Sequence, residues 1–512
     1  MALVPNIDSN STGLSFAIEA SPKVLSAPTW RVLEPNSYGD FGGQNSLVAR
    51  NPINNSRQRK KGVVVDLESM AEFETDLTYS RDELQHLWAA TFMAAMRSKG
   101  SEAVTAVDID GGNPDEYEVA ATAGFLVGHL VKGSGFTNAA NNGVNRVTVV
   151  TSNTSVEVAT GALVAETPPA GARIDVVGYQ GTTADLAIDA SGTFPTLTSA
   201  GGIDFTTLDL IPGEFIYIGG DLTANKFATS ANNGFKRIRS VATGAITLDK
   251  SDLTMVTDAG TGKDIQVFFG RVLKNEQAAL IEKTFVQFER QLGQPDDSSS
   301  DTQAEYVTGA LASEIELSIP SAEKVLVNWG FMGLDNELVD AATGVKAGTR
   351  QQLITEDAFN TSSDFSRIRL AAISSTDEAP TAMFTYASEI TLTINNNVKA
   401  NKAVSVLGGF GMTLGTFQVD AELMVYLSTI DALQSVKDND SVTLDVAMVK
   451  ANKGIVIDLP LCAMGDGRPD VSQDEAVMVP LNLEAAEASA VDASFTYTAM
   501  MVFFDYLPDA AG

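Results

Sequence analysis

Basic residues are scarce in this chain: 34 Lys+Arg stand against 65 Asp+Glu in 512 residues, a formal net charge of −31. Wrapping nucleic-acid phosphate takes clustered Lys and Arg, so such a role is excluded. Histidine and cysteine are nearly absent, with two and one respectively. A serine or cysteine nucleophile normally needs a histidine base, and zinc needs His or Cys at ligand spacing. His86 and His129 have no such spacing around them, and both read as packing residues. Cys462 has no partner for an internal disulfide and reads as a small buried hydrophobe. Three tryptophans, Trp30, Trp88 and Trp329, leave little material for a sugar-binding cleft. No apolar run reaches the length of about 18 residues that a membrane helix needs. Met1–Pro22 lacks a basic stretch followed by an apolar one, so no secretory leader is expected. The expectation is synthesis in the cytoplasm with no membrane association.

What is present is a folded chain, 44% apolar and only 19% charged, long enough for two to four domains. This composition points to a structural or binding protein rather than an enzyme.

Residues 1–61 are rich in Pro, Asn, Ser and Gly and close on the basic run NSRQRKK (Asn55–Lys61), which reads as an extended arm or long loop. A core then begins. Ser69, Ala71, Phe73, Thr75 and Leu77 alternate with Glu68, Met70, Glu72, Glu74 and Asp76, the period of a strand with one acidic face. Ser80 and Glu83 fit a capping box ahead of a helix carrying Leu84, Leu87, Trp88, Ala95 and Met96. Within 111–270 the texture turns to Gly, Thr, Ala, Asn and Val, and a repeat emerges. FTNAANNGVNRVTVV (Phe136–Val150) matches FATSANNGFKRIRSV (Phe227–Val241), and Phe125–Val131 matches Phe215–Leu222. Asn-Gly between β-type runs predicts type I′ hairpins, giving two small β modules at 118–200 and 205–270 made by duplication. They interrupt a core split between 62–117 and 271–512. In the second piece, Phe417, Val419, Ala421, Leu423, Val425 and Leu427 oppose Gln418, Asp420 and Glu422. Similar strands are expected at Glu389–Asn397, Ser441–Val449, Gly454–Pro460 and Ser494–Phe504, with helical turns at Ser428–Ser435 and Thr355–Phe359. The class is all-β with one main helix.

Two motifs suggest chemistry and fall short of it. AGTGKD (Ala259–Asp264) has Thr257 where a phosphate-binding loop needs glycine and Asp264 where it needs Ser or Thr, so it reads as a polar turn. DIDGGNPDEYE (Asp108–Glu118) gathers carboxylates without EF-hand spacing and reads as a solvated linker, an adventitious calcium site being the alternative. The acidic strand faces read either as ordinary solvated surface or as a wall that repels a passing polyanion.

The order of parts resembles the major tail tube proteins of long-tailed bacteriophages of the siphophage type. The segments concerned are WRVLEPNSYGDFGG (Trp30–Gly43), RNPINNSRQRKKG, the acidic strand and helix, EKVLVNWGFMG (Glu323–Gly333), ITLTINNNV (Ile390–Val398), GTFQVDAELMVYLS (Gly415–Ser428) and KGIVIDLPLCAMGDGRP (Lys453–Pro469). The resemblance implies a β-sandwich or barrel core bearing two inserted β modules. It implies hexameric rings stacked into a tube that conducts double-stranded DNA, with tail terminator, tail tip and tape measure proteins as partners. It implies residence in the virion tail, no enzymatic activity, and neither cofactor nor metal. Carried onto this sequence, the lumen-lining candidates are Glu68, Glu72, Glu74, Asp76, Asp420 and Glu422. The inter-ring candidates are Arg57, Arg59, Lys60 and Lys61. The rival readings are a capsid or surface decoration protein that binds host glycans, and an acidic β-rich polysaccharide hydrolase.

Overall fold

Period-two alternation demands extended backbone, and in a computed structural model of the chain the regular elements among the described residues are mostly strands, with two α-helices and several 3₁₀ turns. The structure describes residues 7, 12–53, 55, 58–109, 114–151, 154–293, 302–340, 345–352, 356–384, 386–427 and 429–512. Among these, a 17-stranded sheet forms the core, a 13-stranded sheet forms an insertion, and a two-stranded ribbon stands apart.

The core sheet contains six consecutive antiparallel neighbours: Lys60–Asp76, Leu326–Gly333, Gln303–Pro320, Ala387–Asn395, Gln418–Tyr426 and Met478–Ala485. One face is apolar, with Phe73, Trp329, Ile315, Ile394 and Val419 all buried. Fully burying side chains of this size contributes about 1.5–3 kcal/mol each. The helix Leu84–Phe92 packs on that face through Trp88, whose ring lies 4.9 Å from that of Trp329 at 60°. Trp329 Nε1 donates to Thr75 Oγ1 at 2.9 Å, which is why a threonine is tolerated inside. Strands Val442–Lys450 and Lys453–Asp466 supply the facing layer: Leu444, Val446, Ile457 and Leu459 meet Leu317, Ile319, Ile390 and Leu392 across one apolar seam.

The helix departs from the expected capping. Ser80 Oγ donates to the Glu83 carboxylate, Glu83 is itself the N-cap, and no side chain caps the backbone. Both residues are buried, so the acid is satisfied by the hydroxyl rather than by the helix amides. The helix ends at Met93, held at φ 50°, before Ala95 and Met96 are reached. A second short helix, Asp431–Asp438, lies where helical turns were expected at Ser428–Ser435. Thr355 lies outside the described residues, and Glu356–Ala358 are not helical.

Residues 1–61 are not all arm. Gly13–Ile18 and Thr29–Leu33 are core strands, with Leu14, Phe16 and Trp30 buried to 0% exposure. Their apolar residues are few but correctly phased, and the surrounding Ser, Asn and Gly hide them from a composition test. Pro35–Arg50 pairs along Lys60–Asp76 as a long hairpin with four register shifts. Sheet pairing to Leu326–Gly333 stops at Ser69. Beyond it, residues 44–50 and 60–68 pair only with each other and project as a ribbon that exposes Leu47, Val48, Val63, Val64 and Val65.

The chain leaves the core after Arg97 and returns at Val272. These two residues bridge, each donating its N–H to the other's carbonyl at 2.8 and 3.0 Å. The insertion starts earlier than the composition change suggested. Ser101–Asp108 and Asp115–Val119 pair within its sheet, and Val104, Val107 and Tyr117 join its core. The two expected modules share one sheet and one apolar cluster, yet each half repeats the same clamp. Asn141 Nδ2 donates to Val164 O and its Oδ1 accepts from Val164 N, while Asn232 does the same with Val256. Asn142 Oδ1 accepts from Phe136 N, and Asn233 Oδ1 from Phe227 N. The Asn-Gly pairs therefore do not form type I′ hairpins. They close 3₁₀ turns at Ala139–Asn142 and Ser230–Asn232, because the asparagine amides are committed to neighbouring backbone.

The insertion is bound to the core by buried aromatics, with Phe235 against Phe504 at 5.8 Å, and by ion pairs. Arg237, held by Asp249 of the insertion with two bonds of 2.8 Å, lies 3.3 Å from Asp458 of the core. Arg81 joins Asp175 of the insertion at 2.9 and 3.0 Å to Asp505 of the core at 3.5 Å, and Arg271 and Tyr79 also hold Asp505. Within the insertion, Lys99 pairs with the wholly buried Glu214 at 3.1 Å.

Candidate functional site

The outer face of the six-strand sheet is the one opposite the helix. Residues paired across neighbouring strands point to the same side, so the register defines continuous rows. One runs Glu74, Asn328, Glu316, Thr393, Asp420, Glu484. The row on one side contains Glu72, Gly330, Glu314 and Asn395, and the row on the other contains Asp76, Leu326, Ser318, Thr391 and Glu422. Glu389 extends the same face. At every outward position of these six strands that the rows cover, the side chain is acidic or neutral, and no Lys or Arg occurs there.

Neutral side chains separate most of the acids. Asn328 Nδ2 donates to Glu316 Oε1 at 3.2 Å, and Asn395 Nδ2 to Glu314 Oε2 at 2.6 Å. Asp420 and Glu484 are direct neighbours with nothing between them. Partial burial and then the Glu484 charge raise the Asp420 carboxyl above its ordinary range.

Five of the six acids singled out from the sequence, Glu72, Glu74, Asp76, Asp420 and Glu422, meet on this face, although two distant segments supply them. Asp76 sits at its margin, 2.7 Å from Lys324 Nζ. Glu68 is not brought to the face. It lies beyond the last Leu326–Gly333 pairing, on the projecting ribbon, 3.7 Å from Lys402, whose ammonium also bonds Asp66. Arg59, Lys60 and Lys61 are exposed where the ribbon turns, and Arg57 lies outside the described residues. Reading the sequence missed Glu314, Glu316, Glu389 and Glu484. The signal was available, since SEIELSIP alternates as strictly as FQVDAELMVYL.

The remaining polar motifs do not join this face. Gly260 and Gly262 adopt φ of +59° and +73° in a turn where Lys263 Nζ donates to Thr223 O. Burial, then the charge of Arg31 or Lys99, pushes His86 and His129 down to about 4, so both are neutral at pH 7. Burial pushes the Cys462 thiol up to about 12. Asp108, Glu116 and Glu118 bring oxygens within 4.8 Å of one another on the insertion, while residues 110–113 of that loop lie outside the described residues. Among the described residues no helix is long and apolar enough to cross a membrane.

The acidic sheet face and the exposed hairpin ribbon are thus two distinct surfaces of the β core. A family model described as phage tail tube protein matches residues 9–499. The chain belongs to the phage tail tube protein family. No curated protein matches it. Membership in this family implies self-assembly into a tube and a place in the virion tail. In a tail tube protein the acidic face and the ribbon become the two surfaces that an assembly must account for.

Proposed function

We propose that this tail tube protein forms hexameric rings that stack into the tube of a long flexible tail, and that its six-strand acidic face lines the lumen through which double-stranded DNA is ejected. The observation that carries this reading is the row from Glu74 to Glu484, in which acids alternate with neutral side chains as far as Asp420 and no Lys or Arg intervenes. A basic wall would bind DNA through counterion release, and log affinity would climb with each phosphate neutralised. An acidic wall repels the phosphate backbone at every point, so the genome slides without sticking. Arg59, Lys60 and Lys61, with Arg57 beside them, are suited to an acidic neighbouring ring, and the apolar side chains of the ribbon to a dry contact with it. Tail terminator, tail tip and tape measure proteins are the expected neighbours of such a tube. The protein acts without catalysis and needs no cofactor.

The test is a virion carrying Glu74→Lys, Glu316→Lys, Asp420→Lys and Glu484→Lys together. Tubes of normal appearance by negative-stain imaging, with DNA ejection slowed at low salt and recovering at high salt, are expected. Normal ejection kinetics from well-formed tubes would overturn the lumen assignment.

A further inference from the structure

Beneath the insertion lies a second cluster of ionisable groups that assembly in a tube does not use. Lys250 follows the strand Ala245–Asp249, and its backbone is held at φ 52°. Lysine seldom adopts this left-handed conformation, and held strain of this kind gathers at functional positions. Here it turns a long side chain inward, leaving it 6% exposed. The ammonium ends against the carboxylate of Asp458, 1% exposed, on the core strand Lys453–Asp466. Asp445, 2% exposed, stands directly opposite Asp458 in the sheet, with Oδ1 3.5 Å from Lys250 Nζ. Arg367 holds Asp445, and Arg237 Nη1 lies 3.3 Å from Asp458 Oδ2. The Phe215 ring is 5.9 Å from the amine. Asp249 is already held by Arg237 and Arg239.

We propose that Lys250 and Asp458 condense spontaneously into an isopeptide bond that ties the insertion covalently to the core. Arg237 and Arg239 hold Asp249 and Arg367 holds Asp445, while Asp458 has Arg237 Nη1, already committed to Asp249 through its other nitrogens, at 3.3 Å. Lys250 is therefore the balancing charge for Asp458. In a low-dielectric interior an ammonium–carboxylate pair exchanges its proton to become a neutral amine beside a carboxylic acid. Burial lowers the lysine further toward the neutral form. The free amine then attacks Cγ of Asp458. The C–N bond forms, and Arg237 faces the carboxyl oxygen on which negative charge develops. Burial would raise Asp445, but the Arg367 guanidinium bonded to it opposes that shift also when the amine is neutral, and leaves it able to accept a proton. It takes the proton from the attacking nitrogen and passes it to the departing hydroxyl. The C–O bond breaks and one water leaves. No oxidant, reductant or co-reactant is consumed.

The bond would close a loop between positions 208 residues apart in sequence and keep the insertion attached when the tube is strained. This inference does not rest on the lumen assignment. Its test is the intact mass of the folded, full-length protein after denaturation, with sequencing of its proteolytic fragments. A mass lower than that of the processed chain by one water is expected, together with a branched peptide containing Lys250 and Asp458. Lys250→Arg keeps the cation without the nucleophile, and should restore the full mass in a protein whose circular dichroism matches the wild type. Asp445→Asn should retain both reacting groups and form the bond slowly or not at all. A wild-type chain at full mass, or a water deficit located at any other pair, would overturn the proposal.

Discussion

The acidic sheet face and the junction beneath the insertion hold the same kind of side chain in opposite circumstances. On the face, Glu74, Glu316, Asp420 and Glu484 stand in water or half-buried, the first two beside neutral Asn328 and the last two beside each other, and the repulsion is tolerated. At the junction, Asp249 and Asp445 are buried and Asp505 is partly so, and each is met by an arginine. Asp505 shows the balance. Burial would raise its pKa, but Arg271 and Arg81 together hold it below the usual carboxylate range. Asp420 is shifted the other way. The lesson is that the junction draws several of the chain's few basic residues inside, Arg237, Lys250, Arg271 and Arg367 among them. With 34 cations against 65 acids, pairing the buried carboxylates strips the exposed sheet of counter-charge.

The sharpest way to break this comparison is to remove one partner at each place. Asp505→Ala leaves Arg271 and the Tyr79 hydroxyl buried without their acceptor, and should cost about 3–5 kcal/mol in global unfolding by denaturant. A loss as small as that of a surface change would mean that the junction is wet and its pairing ornamental.

A pH titration of stability separates the two regions by sign. Asp445 and Asp505 have depressed folded-state pKa values, so they contribute stability above the ordinary aspartate value of about 3.9 and lose it as pH falls through their lower folded values. Asp420 has a raised value. It opposes folding at neutral pH, and that opposition is relieved as pH falls through the region just above about 4. A shallow gain in melting temperature on mild acidification, followed by a steep loss, is expected. Asp420→Asn should reduce the gain, to which the raised Glu19, Glu83 and Glu214 also contribute, and keep the loss.

At pH 7 the same Asp420→Asn change should stabilise by only about 0.2–1 kcal/mol, since it removes one like-charge pair directly across strands. Smallest of all is the effect of salt. Raising ionic strength from roughly 0.01 to 0.15 M shortens the screening length from about 30 to 8 Å. This should firm the wild-type sheet slightly and leave the penalty of Asp505→Ala unchanged.

How legible these two regions were follows from their geometry. Strict alternation exposes one face of a strand, so the acid stripes on Lys60–Asp76 and Gln418–Tyr426 could be read locally. Their meeting on one sheet could not, because it depends on the intervening strands at 303–320, 326–333 and 387–395, whose pairings are non-local. The core strands near the N-terminus were hidden by composition, with Leu14, Phe16 and Trp30 too sparse among Ser, Asn and Gly to announce a packed element. The junction was the least legible. Asp445 within VTLDVAMV and Asp458 within GIVIDLP each break an otherwise apolar run, which marks a buried charge. Nothing in either segment says that Arg237, Lys250 and Arg367 lie across from them.

The bridge between Arg97 and Val272 carries a consequence for how such a protein changes over evolutionary time. The chain departs and returns through hydrogen-bonded neighbours, so the core is stitched shut at the base of the excursion whatever the excursion contains. Everything between the two positions behaves as a cassette, free in principle to be exchanged or deleted while the sandwich keeps its strand order. The limit is set by what the cassette leaves behind. Removing it would uncover Asp445, Asp458 and Arg367, charges the core shelters only because the insertion sits on them. A viable descendant without the excursion should therefore carry neutral or apolar residues at those three positions, a joint replacement that a comparison of shorter relatives can look for.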